Sequence, residues 1–155
     1  MAQFVIIPAG IAGTAFMTLF LYLLTPLMHR QLKVVKVLGT MLTNQTTPNG
    51  ELSERPMAIW VGGTVHYLIG IMFTFCYYFL WRSGIGKPDL SSGAVFGFVT
   101  GLFGIAVWRV FFWVHPNPPR TVSLPSYLLS LLIAHVVFGV FAHLTYSFLI
   151  QRIDN

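Results

Sequence analysis

Residues 57–81 of the chain read MAIWVGGTVHYLIGIMFTFCYYFLW, a run of 25 positions without Lys, Arg, Asp or Glu. A helix needs about 20 apolar residues to cross the hydrocarbon core of a bilayer. Only helices and closed β-barrels satisfy their backbone hydrogen bonds in lipid, and the run lacks the alternating pattern of a barrel strand. The stretch therefore predicts a membrane-spanning helix.

Three further apolar runs of similar length follow the same logic, at residues 4–28, 90–114 and 126–150. Counted along the chain, the third of the four runs is residues 90–114, and Arg109 alone interrupts it. Charged residues make up 8% of the 155 residues, against about 25% in a soluble domain. We therefore predict an all-α integral membrane protein, a single domain over residues 1–155 with four transmembrane helices.

The net charge of +5 comes from cations that lie mostly at the ends of the apolar runs. No basic stripe with interleaved aromatic residues is present, which argues against nucleic-acid binding. The loops after the first and third runs share one side of the membrane and carry more cations than the opposite side. The positive-inside rule then favours these two loops as cytoplasmic. Their side carries Arg30, Lys33, Lys36, Arg55 and Arg120, and the opposite side carries Arg82, Lys87 and Arg152.

The long connection at residues 29–56 contains a second helical pattern, over residues 30–42. Apolar side chains form a stripe with Lys33 and Lys36 between them, as expected of an amphipathic helix in the membrane interface. The stripe consists of Leu32, Val35, Leu38 and Leu42. The alternative is an extension of the first membrane span.

The second and fourth runs align at an offset of 69 residues. His, Gly and Tyr then coincide at positions 0, +4 and +11, which share one helical face. The matched pairs are His66 with His135, Gly70 with Gly139, and Tyr77 with Tyr146. This pattern predicts an internal repeat of two helical hairpins that run in the same direction, related by an axis along the membrane normal.

Small residues near the starts of the first and third runs predict faces where another backbone approaches closely. They are Gly10, Gly13, Gly93, Gly97 and Gly101. The sequence leaves open whether the third run packs on the first run or on another subunit. These glycines indicate assembly rather than chemistry.

The histidines are the candidate functional residues, because ionisable groups inside a membrane are costly and face the protein interior. If His66 and His135 face each other at equal depth, they could ligate a b-type haem from opposite sides. Spans two and four lie diagonally in a bundle of simple cyclic order, about 11–14 Å apart, which permits a haem. Gly70 and Gly139 would leave room for the ring edge, and Arg109 could meet a propionate.

Two other chemistries are open to the polar residues of the chain. A proton or ion path could follow a ladder of His, Thr and Tyr side chains, namely His66, Thr74, Tyr77, His135, His143 and Tyr146. A metal site could form at one membrane edge from His29, His115, Glu51 and Glu54. No set of residues indicates enzyme catalysis.

The glycine-rich odd-numbered spans, together with His-x-x-x-Gly at His66–Gly70 and His135–Gly139, resemble uncharacterised bacterial four-helix inner-membrane proteins of the YagU type. The resemblance implies a bacterial inner-membrane location and no particular activity. The sequence thus predicts a structural or accessory subunit that packs its helices with copies of itself or with a larger membrane complex. A haem protein and a proton or ion conductor are the alternatives.

Overall fold

The computed structural model describes residues 2–153, and this part of the chain contains helices and no strand. A short 3-10 helix at Ala2–Val5 precedes the first long helix. Five α-helices follow in chain order: α1 at Ile6–Met28, α2 at Val34–Leu42, α3 at Pro56–Arg82, α4 at Leu90–Val114 and α5 at Leu124–Ile153. Four of them, all but α2, are long and apolar enough to cross a membrane. The limits of the four long helices differ from those of the predicted spans by at most three residues at each end.

Local sequence explains where the helices begin and end. Pro56 occupies the first position of α3, where a missing N–H costs no helical hydrogen bond. Asp89 caps α4 by accepting a hydrogen bond of 2.8 Å from the backbone N–H of Ser92. His29 ends α1 in the left-handed conformation, with φ of 49°. This break separates α1 from α2, so the alternative of a continuous first span is wrong.

The four long helices follow one another around the bundle. α1 packs against α3 on one side and α5 on the other, and α4 packs along α5. The α3–α4 pair is not among the closely packed ones, although a hydrogen bond of 2.7 Å joins Tyr77 of α3 to Thr100 of α4, so the ring is open on that side away from this bond. The opening between α3 and α4 positions the site described below.

The predicted repeat would exchange α1 with α4 and α3 with α5, which makes the α1–α5 and α3–α4 pairs equivalent. The first pair packs closely and the second does not. This asymmetry separates the two halves, and the internal repeat stays a prediction.

The glycine faces of α4 and α5 bring their backbones into direct contact. A Cβ atom added at Gly93 would lie 2.8 Å from the carbonyl oxygen of Gly139, and one at Gly139 would lie 2.8 Å from the Cα atom of Gly97. The partner of the glycines in α4, including Gly101, is therefore α5. The sequence left open the first span or another subunit as partner, and the structure gives neither, because the backbone of α5 already occupies the glycine face of α4.

The glycines of α1 are also used inside the chain. A Cβ atom at Gly10 would lie 2.8 Å from the Cα atom of Ile71 in α3, and one at Gly13 would lie 2.9 Å from the carbonyl oxygen of Phe138 in α5. α1 thus uses one glycine for each neighbouring helix.

Helix α2 is buried rather than spread on the membrane surface. Seven of its nine residues are buried, including Val34, Val37 and Met41. A Cβ atom at Gly39 would overlap the carbonyl oxygen of Ala58, which shows backbone contact between α2 and α3. The predicted interfacial helix is therefore shorter, beginning at Val34 rather than at position 30, and it caps one end of the bundle.

Candidate binding cavity

A cavity of about 200 Å³ lies between α3 and α4, and its walls are almost entirely apolar. Val34 and Leu38 of α2 close one end. The exposed side chains Ile69 and Met72 of α3 and Phe103 and Val107 of α4 also line it. We call this opening between the two helices the α3–α4 cleft. The cavity thus opens sideways, toward the outer surface of the bundle.

Two histidines are the principal polar groups of this cavity. His66 and His135 both line it, and each is 7% exposed. Both imidazoles lie in the protein interior, as their helical faces predicted. Apart from Thr14 and the indole N–H of Trp108, the other side chains that line the cavity carry no hydrogen-bonding N or O atom. The two imidazoles therefore dominate the polar chemistry of the cavity.

His66 forms its hydrogen bond with α1. The Nε2 atom lies 3.1 Å from the hydroxyl of Thr18, and that hydroxyl donates its own hydrogen to the carbonyl oxygen of Thr14 at 2.7 Å. The hydroxyl of Thr18 can then only accept from His66, which assigns the proton of the imidazole to Nε2. In the neutral ring the Nδ1 atom is left with a free lone pair.

His135 has the opposite proton assignment. Its Nδ1 atom lies 2.8 Å from the carbonyl oxygen of Leu131, which can only accept, so Nδ1 carries the proton. The Nε2 atom then carries the lone pair. A Cβ atom built on Gly104 would lie 3.3 Å from this nitrogen, so Nε2 faces the part of α4 that lines the cavity.

A second buried polar cluster lies farther along α5, outside the cavity. The imidazole of His143 is fully buried, and its Nδ1 atom donates to the carbonyl oxygen of Gly139 at 2.8 Å. The ring centroids of Trp81 and His143 are 4.5 Å apart. The Nε1 atom of Trp81 and the Nε2 atom of His143 are both buried without a hydrogen-bond partner. His143 repeats the bonding of His135 in a closed setting.

Five of the six side chains in the predicted proton ladder form their hydrogen bonds with groups outside the ladder. Tyr77 bonds to the hydroxyl of Thr100 at 2.7 Å, and Thr74 bonds to the carbonyl oxygen of Gly70 at 3.0 Å. The three histidines of the ladder bond to Thr18 or to carbonyl oxygens of α5, as described above. These bonds leave the set, so direct hydrogen bonds do not link these five members, and the relay stays a prediction. The sixth member, Tyr146, packs its ring 4.9 Å from that of Trp81.

The surroundings of the two histidines do not fit a haem. The cavity is smaller than the roughly 300 Å³ at which pockets for drug-sized ligands begin. The space beside Gly70 is filled by the side chain of Thr14, and the space beside Gly139 by the backbone of α4. Arg109 is exposed on the outer face of α4 and is not among the residues that line the cavity. The predicted haem contacts of Gly139 and Arg109 are therefore wrong.

The predicted metal ligands are not assembled. Within residues 2–153, no three His, Cys, Asp or Glu side chains lie close enough together to hold a metal ion. His115 uses both ring nitrogens, donating to the carbonyl oxygen of Met41 at 2.8 Å and accepting from the backbone N–H of Asn117 at 3.1 Å. Glu54 pairs with Lys36 at 2.6 Å, and this ion pair holds the pKa of Glu54 below its usual value. His29 and Glu51 are exposed.

Several residues that line the cavity or hold its histidines were not found from the sequence. Thr18 and Gly104 matter because they lie opposite the two imidazoles, a property of tertiary packing. Trp108 is near the end of a span, which suggests interfacial anchoring, yet it is 8% exposed and lines the cavity. The spacing of Gly104 three residues after Gly101 was the one available signal, since it continues the glycine face of α4.

Comparisons with known proteins give no relative for this fold and cavity. No family model, curated protein or solved structure matches the chain.

Proposed function

We propose that this protein is a membrane-embedded binding protein for a small apolar molecule that enters the α3–α4 cavity from the bilayer. The observation that carries the proposal is an apolar cavity that opens through the side of a membrane-embedded bundle. Protein interiors are packed to crystal-like density, so an apolar space of this size that no side chain fills favours a bound molecule.

The size and the walls of the cavity support an apolar ligand. Its volume of about 200 Å³ exceeds the ~150 Å³ of an engineered apolar cavity that binds benzene. One ring or a short chain would fit inside, and a longer tail would extend through the α3–α4 cleft. The rim of this cleft is apolar on both sides, with Met72 51% exposed and Phe103 58% exposed.

Entry can be tested by closing the cleft with a bulky side chain. Val107 lines the cavity at its mouth, so Val107→Trp should obstruct the opening. Val110 is the matched control, because it is exposed on the outer face of the same helix and does not line the cavity. Toluene is the probe, and thermal unfolding in lipid nanodiscs is the measurement. Binding to the folded state raises the unfolding temperature, and the rise grows with the ratio of the free ligand concentration to the dissociation constant.

We expect toluene to stabilise the native protein and the Val110→Trp variant more than the Val107→Trp variant. Any effect of toluene on the bilayer itself is the same for all three proteins. The smaller rise in unfolding temperature expected for Val107→Trp than for Val110→Trp therefore reports on the cleft. Equal responses of the two variants would refute binding through the α3–α4 cleft.

A structural or accessory subunit is the second candidate, in which helices of this protein pack with further copies or with a larger complex. The broad apolar faces of α3 and α4 favour it, since Leu68 is 60% exposed and Val99 57% exposed. The glycines that would have served such contacts are used within the chain. Analytical ultracentrifugation in density-matched detergent tests this candidate, and a monomer across the concentration range would contradict self-association.

The protein is proposed to lie in a bacterial inner membrane, with the loops before α3 and before α5 in the cytoplasm. The cation excess of these loops supports the orientation. The two loops belong to one end of the bundle, because Thr46 donates to the carbonyl oxygen of Asn117 at 2.7 Å. A cysteine introduced at Asn49 should be protected from an impermeant thiol reagent added outside intact cells.

A further inference from the structure

The lone pairs of the two cavity histidines define the chemistry of the ligand. We propose that the α3–α4 cavity binds an apolar molecule through a hydroxyl group, which donates a hydrogen bond to Nε2 of His135 or to Nδ1 of His66. The inference rests on the proposed binding function and adds the ligand class, a phenol or an alcohol on an apolar ring or chain.

The first step is the charge of the imidazoles. Both rings are buried among apolar side chains, where an isolated charge would cost far more than a neutral polar group. The cavity wall contains no Asp or Glu that could pair with a cation. Each imidazole is therefore neutral, with one N–H donor and one acceptor nitrogen.

The second step is that the donors are already used. Nε2 of His66 donates to Thr18, and Nδ1 of His135 donates to the carbonyl oxygen of Leu131. The bond within α5 fixes the ring of His135, and the bond to α1 fixes the ring of His66. What each ring still offers is an acceptor.

The third step is that the acceptors lack protein partners. No hydrogen bond to Nε2 of His135 or to Nδ1 of His66 is formed by residues 2–153, the part of the chain that the structure describes. Gly104 leaves space beside Nε2 of His135, where any side chain would stand against the ring. A ligand that only accepts hydrogen bonds, such as a ketone, ester or ether, finds no free donor in this pair. A hydroxyl matches both nitrogens.

The test compares three probes of similar size and shape: p-cresol, toluene and 4-methylanisole. The first carries a hydroxyl donor, the second forms no hydrogen bond, and the third has only an acceptor oxygen. Affinity is measured in nanodiscs, with each ligand concentration corrected for partition into protein-free nanodiscs. One net hydrogen bond corresponds to about a three- to tenfold gain in affinity. We expect p-cresol to bind more tightly than toluene by this factor, and 4-methylanisole no more tightly than toluene.

Variants assign the hydrogen bond to a particular ring. His135→Phe keeps an aromatic ring and removes the acceptor, so the preference for p-cresol over toluene should fall. His143→Phe is the matched control, because His143 forms the same bond within α5 and lies outside the cavity. Gly104→Ala retains His135 and places a methyl group beside Nε2, so it should also reduce the preference. A second readout is the 15N chemical shift of the imidazole acceptor nitrogen, which p-cresol should change and toluene should not.

The outcomes separate the two proposals. Equal affinity for toluene and p-cresol would overturn the hydroxyl inference and leave apolar binding intact. Tighter binding of 4-methylanisole than of p-cresol would overturn it by showing that the cavity offers a donor, from an imidazole or from the indole of Trp108. A failure of all three probes to bind would overturn the binding function itself. If the variants at His135 and Gly104 fold poorly, the 15N shift in the native protein still decides the hydroxyl inference.

Discussion

The backbone contact between α2 and α3 gives the sharpest test of the fold, through the variants Gly62→Ala and Gly63→Ala. A Cβ atom added at Gly62 would overlap the carbonyl oxygen of Val35 and would lie 2.9 Å from the Cα atom of Gly39. A Cβ atom added at Gly63 meets only a methyl group of Val35, at an ordinary 3.9 Å. The two neighbouring glycines of α3 therefore differ only in what they face.

The magnitude follows from this geometry. Carbon atoms pack at about 3.5 Å or more, so Gly62→Ala should push α2 away from α3 by roughly 0.6 Å or more. Overpacking of this kind costs about 1–3 kcal/mol. Both variants gain the same helix propensity, about 1 kcal/mol for Ala over Gly. The difference between them isolates the packing cost, so Gly62→Ala should be less stable than Gly63→Ala by about 1–3 kcal/mol.

The assay is equilibrium unfolding in mixed SDS and neutral-detergent micelles, followed by far-UV circular dichroism. Gly63→Ala should match or exceed the native protein, and Gly62→Ala should unfold at a lower fraction of SDS. Because Val34 and Leu38 of α2 close the cavity, Gly62→Ala should also alter toluene binding. Equal stability of the two variants would refute the backbone contact and with it the position of α2 as a cap.

Variants at three further sites test the ends of the bundle. Glu54→Gln removes the ion pair with Lys36, whose hydrogen bond and charge lower the pKa of Glu54. The pair therefore stabilises the folded protein above about pH 4.5, and this contribution disappears as the pH falls through the lowered pKa. The native protein should unfold at a slightly higher temperature than the variant at pH 7, and the difference should vanish in acid. Asp89→Ala should lower the unfolding temperature more than Asp89→Asn, because Asn retains the cap of α4, and equal losses would argue against the cap. His115→Ala should speed hydrogen exchange at the end of α2, because the bond to the carbonyl oxygen of Met41 is lost; unchanged exchange, measured by mass spectrometry, would contradict that contact.

Much of the fold could be predicted because membrane insertion is decided by local composition. A run of 25 apolar, uncharged residues without a barrel pattern forms a helix in lipid wherever it lies in the chain, so the limits of α3 follow from residues 57–81 to within one residue. The interior position of His66 and His135 also followed from helical periodicity. Neither statement depends on which helices are neighbours.

The partners of these residues were beyond reach of the sequence. The glycine pattern of α4 predicted a close backbone but not that α5 would supply it, since Gly139 and a glycine of another subunit offer the same surface. The apolar stripe at Val35 and Leu38 suggested the membrane surface, although the actual partner is α3. An apolar stripe shows only that one face of a helix avoids water. It does not show whether lipid or protein covers that face, because the same side chains suit both.

Composition and helical periodicity were enough to predict four helices long and apolar enough to cross a membrane, their limits, and two imidazoles in the interior. The divergence of α3 and α4, the closure of the resulting space by α2, and the opening that Gly104 leaves beside Nε2 of His135 came from the packing of the helices. The two kinds of feature differ in the range of the interactions that produce them. Transfer into lipid acts on each segment separately, whereas a cavity is the difference between the shapes of several segments and exists only after they have packed.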